Sequence, residues 1–111
     1  MPFGSNDWLA LTEEPTLEPE LPICDPHHHL WTHRPEPLAY QEYLLPELSA
    51  DINSGHNVRS TVFVEARSMY RADGPAELRS VGEVEFVQGL AAASASGVYG
   101  PSRAAAAIVG H

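Results

Sequence analysis

Apolar positions along the chain gather into five clusters separated by polar, Gly- or Pro-containing stretches, and their spacing changes from one cluster to the next. Leu21 to Asp25 is a short apolar run that ends in polar residues, the pattern of a buried strand whose C-terminal tip opens into a loop. Cys24 lies within this run beside Ile23 and is expected to be buried. A Pro-rich loop, Thr32 to Pro37, follows. Leu45, Leu48 and Ile52 then recur at spacings of three and four, with Pro46 near the start and Gly55 just past the end, which predicts a short amphipathic helix.

Arg59 to Glu65 (RSTVFVE) is dense in β-branched and aromatic residues and uninterrupted by Gly or Pro, so it predicts a second strand with Glu65 at its tip. After the polar loop Arg67 to Arg79, Ser80 and Glu83 are spaced as a capping box. Val84, Val87 and Ala91 form an apolar stripe, and a second helix is predicted up to Gly97. Arg103 to His111 carries two competing signals. Its four alanines favour helix by propensity, while Ile108 and Val109 followed by Gly110 favour a buried strand; the strand reading is adopted. The order strand, helix, strand, helix, strand, with connections long enough for right-handed crossovers, is an α/β pattern with a parallel sheet.

Residues 1–22 stand apart. They hold Asp7, Glu13, Glu14, Glu18 and Glu20, with Pro2, Pro15, Pro19 and Pro22, and no Arg or Lys occurs before Arg34. This reads as a flexible acidic leader, in which Trp8, Leu9 and Leu11 form a strip able to anchor on the body. The remainder, 23–111, is the size of one ordinary domain.

Charge narrows the function classes. Fifteen Asp and Glu against six Arg give a net charge of −9, so the chain is repelled by phosphate backbones and anionic membranes, and neither nucleic acid nor a membrane is an expected partner. All six basic residues are arginines, which excludes a Schiff-base lysine or a P-loop lysine. A single cysteine forms no internal disulfide. The N-terminus shows neither a basic region nor an apolar stretch suited to export, so a reducing, cytoplasmic setting is expected.

The candidate chemistry begins at CDPHHHLW, residues 24–31. If the first strand continues through the histidines, alternation puts Asp25, His27 and His29 on one face and His28 on the other. Two imidazoles two residues apart on a strand can hold one divalent ion from the same side, and nitrogen ligands suit Zn²⁺, with Mn²⁺ or no metal as the alternatives. Two ligands fall short of the three that a catalytic zinc usually takes. His33 lies in a loop and His56 at the opposite end of the layer, whereas His111 is expected on the rim that carries His27, His29 and Glu65.

Glu65 at a strand tip suits a general base or a substrate contact, although strand-terminal carboxylates more often cap a neighbouring helix or pair with an arginine. Arg67, Tyr70 and Arg71 occupy the next loop, where a guanidinium can grip a carboxylate in bidentate fashion or form ordinary surface ion pairs. The candidates are thus His27 and His29 for metal, Glu65 and His111 for catalysis, and Arg67, Tyr70 and Arg71 for substrate.

The strings ICDPHHHLW, GHNVRSTVFVEARSMYRADGP, VGEVEFVQGLAAASASGVYGP and IVGH resemble the N-terminal part of the amidohydrolase superfamily, in its amidohydrolase-2 branch of metal-dependent hydrolases. The resemblance runs from about Ile23 to His111. It implies a (β/α)₈ TIM barrel, with His27 and His29 matching the strand-one pair that binds the ion in metal-using members and His28 the variable position between them. Such a barrel takes about 250 residues, so the chain would supply the first three βα units, an incomplete N-terminal segment.

The branch includes lactonases acting on carboxylated substrates, and decarboxylases. The implied activity of a complete protein is therefore hydrolysis of a lactone or related carboxylated carbonyl compound, with decarboxylation as the near alternative and little turnover by these residues alone. A rival reading from another class is a small non-enzymatic α/β domain that binds metal or a partner. Three strands cut from a barrel would leave an open edge, so self-association through the sheet edge is also expected.

Overall fold

The computed structural model describes residues 15, 17–33 and 42–111. Trp8, Leu9 and Leu11, like most of the acidic leader and the Pro-rich loop from Arg34 onward, lie outside the described residues. The elements are β1 (Pro22–His28), α1 (Leu45–Ile52), β2 (Asn57–Val64), a 3₁₀ turn at Ala76–Leu78, α2 (Val81–Ala95) and β3 (Arg103–Val109). The strands form one sheet in the order β1-β2-β3, and both pairings are parallel. The α/β pattern read from the apolar spacing is therefore the architecture observed.

Each element follows from its residues. In α1, Leu45, Leu48 and Ile52 are buried while Pro46 occupies the first turn, where its missing N–H costs no helical bond. Glu47 Oε1 accepts from Leu44 N–H at 2.8 Å. This is half of a capping box, since Leu44 has no side-chain acceptor to return the bond. In β2, the buried residues Thr61 and Phe63 alternate with half-buried Ser60, Val62 and Val64, as a strand with one covered face requires. Gly97, with φ near +87°, lies just beyond α2 in the left-handed conformation that glycine adopts without strain.

Leu30, Leu45, Leu48, Ile52, Phe63, Val87, Ala104 and Ala105 form a single core cluster. It draws on both helices and on the same side of β2, so both helices cover one face of the sheet. Two right-handed crossovers in a sequentially ordered parallel sheet produce that arrangement. The other face has no cover among the described residues.

That open face explains one correction. Cys24, expected to be buried, is exposed, because it pairs in register with Ser60 on the uncovered side. A second correction concerns the alternation along β1. The register sets Asp25 beside Thr61 and His28 beside Phe63, three residues against two, so a bulge falls at Pro26. Pro26 donates no ladder bond, and β1 is an edge strand where that loss is tolerated. The bulge takes Asp25 out of the alternation with His27 and His29, and its Oδ1 accepts from His27 N–H at 3.1 Å instead.

The alanine run is a strand despite its helical propensity, because parallel pairing with β2 outweighs a preference worth tenths of a kcal/mol per residue. It is irregular: four steps along β3 match two along β2, and Ala105 takes φ near +52°. The bulged backbone delivers Ala105 N–H to Thr61 Oγ1 at 2.8 Å.

Candidate functional site

The C-terminal tips of the three parallel strands share one rim, and the chemistry-bearing residues fall on it in two groups. The first is the histidine pair. His27 Nε2 and His29 Nε2 stand 3.3 Å apart, with their rings edge to face. His29 Nδ1 lies 2.8 Å from Val64 O, and a carbonyl oxygen accepts only, so Nδ1 carries the proton. That bond fixes the tautomer and leaves the His29 Nε2 lone pair facing His27.

A cation held by two imidazoles at about 2.0 to 2.1 Å in tetrahedral geometry separates the two nitrogens by about 3.3 Å. The observed separation matches. With no cation, His27 Nε2–H donates across the gap to His29; binding an ion requires that this proton shift to His27 Nδ1 and that the two lone pairs converge on one point beside the gap. The separation is that of two ligands of one ion, and the hydrogen bond to the Val64 carbonyl holds the His29 ring in place. Among the described residues no group of three His, Cys, Asp or Glu is placed to hold an ion.

His28 takes the opposite face, as the alternation predicts. It is buried against Phe63, ring edge to face, with Nε2 2.7 Å from Thr61 Oγ1. Since Thr61 Oγ1 already accepts from Ala105 N–H, a relay through Thr61 ties β1 to β3 beneath the rim. Burial lowers the His28 pKa, and the nearby Asp25 carboxylate offsets part of that shift.

The second group lines a cleft of about 420 Å³ formed by Glu65, Arg67, Tyr70, Ala76, Glu77, Ser80 and His111. Glu65 N–H donates to Val109 O at 3.0 Å, which extends the β2 and β3 pairing to the rim, and His111 Nδ1 comes within 3.5 Å of Glu65 Oε2. Four of the five residues predicted for catalysis and substrate contact thus meet in one place. Arg71, the fifth, is not among the lining residues. Its Nε donates to Glu85 Oε1 at 2.8 Å, which raises the Arg71 pKa and lowers that of Glu85.

The loop that carries Arg67 and Tyr70 is held by a residue whose role the sequence pattern concealed. Glu83 is spaced from Ser80 as a capping box, yet Ser80 makes no side-chain cap. Glu83 Oε2 accepts instead from Ala66 N–H and Ser68 N–H, each at 2.9 Å, and the side chain is 1% exposed. Gly82 permits the same approach: a Cβ there would stand 2.5 Å from Arg71 N and 2.7 Å from Met69 O. Arg67 and Met69, with φ near +58° and +60°, turn the loop through left-handed conformations so that it closes over the start of α2. Only a Glu immediately after a Gly at the head of an apolar helix hinted at this contact.

Compared with known proteins, the chain matches no family model, no curated protein and no solved structure. No helix among the described residues is long and apolar enough to cross a membrane.

Proposed function

We propose that this chain forms the N-terminal βα units of an amidohydrolase-like (β/α)₈ barrel whose complete form hydrolyses a lactone or related carboxylated carbonyl compound. The observation that carries the reading is the His27 and His29 pair, 3.3 Å apart at Nε2 with His29 pinned to Val64 O, at the strand tips where barrel enzymes place their chemistry. The sequential parallel order and the placement of both helices on one face of the sheet support it as well. A zinc or similar ion held there would lower the pKa of a bound water and polarise the substrate carbonyl.

The protein's own groups divide the remaining work. The cleft opens between the tips of β2 and β3, so it begins about one strand spacing, about 4.8 Å, from the pair on β1 and reaches toward β3. That span suits a substrate whose carbonyl lies at the pair and whose carboxylate lies in the cleft. Arg67 grips the carboxylate there, and Tyr70 and Ser80 add hydroxyl donors. Glu65, on the middle strand, takes a proton from the attacking water as the new C–O bond forms. It returns that proton to the ring oxygen as the ring C–O bond breaks, giving a hydroxy acid. Arg71 stays with Glu85 and has no part in this scheme.

The test pairs metal analysis with ligand binding. Purified chain should carry stoichiometric zinc or manganese that a folded His27→Ala/His29→Ala variant lacks. A small dicarboxylate should shift the backbone amide resonances of residues 65–70, and Arg67→Ala should weaken its binding at least tenfold. Folded wild-type chain with neither metal nor dicarboxylate shifts would defeat the proposal.

A further inference from the structure

The outer part of the loop between β2 and α2 carries chemistry of another kind. Arg71 N–H donates to Arg79 O at 2.8 Å, which closes a small loop at its neck, and Asp73 and Gly74 are exposed within it. Neither the Asp73 carboxylate nor the Gly74 N–H has a hydrogen-bond or ionic partner among the described residues. An aspartyl side chain can close a five-membered ring on the amide nitrogen of the residue that follows, and a side chain on that residue is the chief steric barrier. Gly74 has none, and even a Cβ there would meet nothing within 4 Å, so the nitrogen is open to attack on the neighbouring carboxyl.

We propose that Asp73–Gly74 is a site of spontaneous backbone modification, at which the aspartate rearranges to isoaspartate. Gly74 N bonds to Asp73 Cγ and gives up its proton while the neutral carboxyl gives up its hydroxyl, so one water leaves and a succinimide forms. Water then adds at the main-chain carbonyl carbon of Asp73 and breaks its bond to Gly74 N. The chain now runs through Cβ and Cγ, one carbon longer, and the former main-chain carbonyl is a free carboxylate. No oxidant or cofactor takes part, and net charge is unchanged.

The fold withholds the same reaction from the other described Asp and Asn residues. Asp25 precedes Pro26, whose nitrogen has no proton to lose, and Asp51 precedes β-branched Ile52 within α1. Asn57 Nδ2 donates to Glu20 O at 3.0 Å, and β-branched Val58 follows it in β2. Asn53–Ser54 is the sharper comparison, since asparagine cyclises faster than aspartate in a free peptide. There Nδ2 donates to Ser49 O at 2.8 Å and Ser54 N–H donates to Asp51 O at 3.2 Å, so both reacting groups are tied.

The added carbon falls beside a held segment. Gly74 O accepts from Arg79 Nε at 3.2 Å, and Leu78 N–H donates to Pro75 O at 3.0 Å in the turn that carries Ala76 and Glu77 to the cleft. Rearrangement therefore loosens the outer wall of the cleft.

Purified chain held for weeks at physiological pH and temperature tests the site, with circular dichroism confirming that it stays folded. Trypsin cuts after Arg71 and Arg79 and releases residues 72–79, whose isoaspartyl form keeps its mass, elutes apart and halts Edman degradation after Ala72. The expected result is conversion in the folded chain at a rate within about threefold of that in the free 72–79 peptide, since an exposed loop needs little energy to open. Asn53 should convert more slowly than Asp73 in the folded chain, although it converts faster in a free peptide spanning 50–56. Asp73→Glu, which would need a six-membered ring, should show no conversion. Protection of Asp73 by tenfold or more relative to the peptide, or faster conversion at Asn53 than at Asp73 in the folded chain, would overturn the proposal. Hydrogen exchange at the Leu78 and Arg79 amides should be faster in the isolated isoaspartyl form, and unchanged exchange there would overturn the loosening of the cleft wall.

Discussion

Replacing Glu83 probes how the loop bearing Arg67 and Tyr70 is held. A single oxygen, Glu83 Oε2, accepts two backbone N–H groups at 2.9 Å each, from Ala66 and Ser68, and the side chain is 1% exposed. A hydrogen bond to a charged group contributes about 1.5–3 kcal/mol, and a buried amide left without its acceptor costs about 1–3 kcal/mol. The two bonds share one oxygen and the loop can relax partly into water, so Glu83→Ala should cost about 3 kcal/mol rather than the sum. Glu83→Gln keeps an acceptor oxygen in the same place and loses mainly the charge assistance, about 1 kcal/mol.

Urea unfolding followed by circular dichroism reads the difference. With a slope of about 1–3 kcal/mol/M, the alanine variant should unfold at least about 1 M earlier and the glutamine variant at an intermediate concentration. Hydrogen exchange at the Ala66 and Ser68 amides should accelerate strongly in the alanine variant and little in the glutamine variant. Equal costs for the two substitutions within about 0.5 kcal/mol, or unchanged exchange at both amides in Glu83→Ala, would refute the reasoning.

Two further outcomes follow from the same structure. Burial holds the His28 imidazole below its usual pKa of 6.5, so the unfolded chain binds its proton first as pH falls; stability is undiminished above pH 6.5 and declines below it. His28→Gln, which retains a hydrogen-bonding group toward Thr61, should flatten that decline in urea unfolding measured from pH 7 to pH 5. Gly82→Ala pushes a Cβ against backbone atoms of Arg71 and Met69 that have no flexible end to give way. The loop must move at a cost of about 1–3 kcal/mol, seen as a lower urea midpoint and weaker dicarboxylate binding in the cleft.

What the sequence determined by itself was the local layer of this protein. The spacing of Leu45, Leu48 and Ile52 and the β-branched density of Arg59 to Glu65 encode their elements, since each depends on a residue and its neighbours within one or two turns. The strand period likewise placed His27 and His29 together and His28 apart, because alternation is a property of the backbone alone. The meeting of Glu65 and His111 was legible too, as parallel strands carry their tips to one rim.

Contacts that join segments distant along the chain were decided by the tertiary structure. Asp25 left its expected face because a bulge at Pro26 answers to the register of β2, which is set by packing and not by β1. Cys24 is exposed because nothing described covers the far face of the sheet, although its apolar neighbour predicted burial. The alanine run became a strand because β2 offered it hydrogen-bonding partners. Glu83 serves the loop at Ala66 and Ser68 rather than its own helix, because folding brings two buried amides to it and an unpaired amide costs more than a missing cap. Periodicity is written residue by residue, whereas the partner of a buried polar group exists only once the chain has closed on itself.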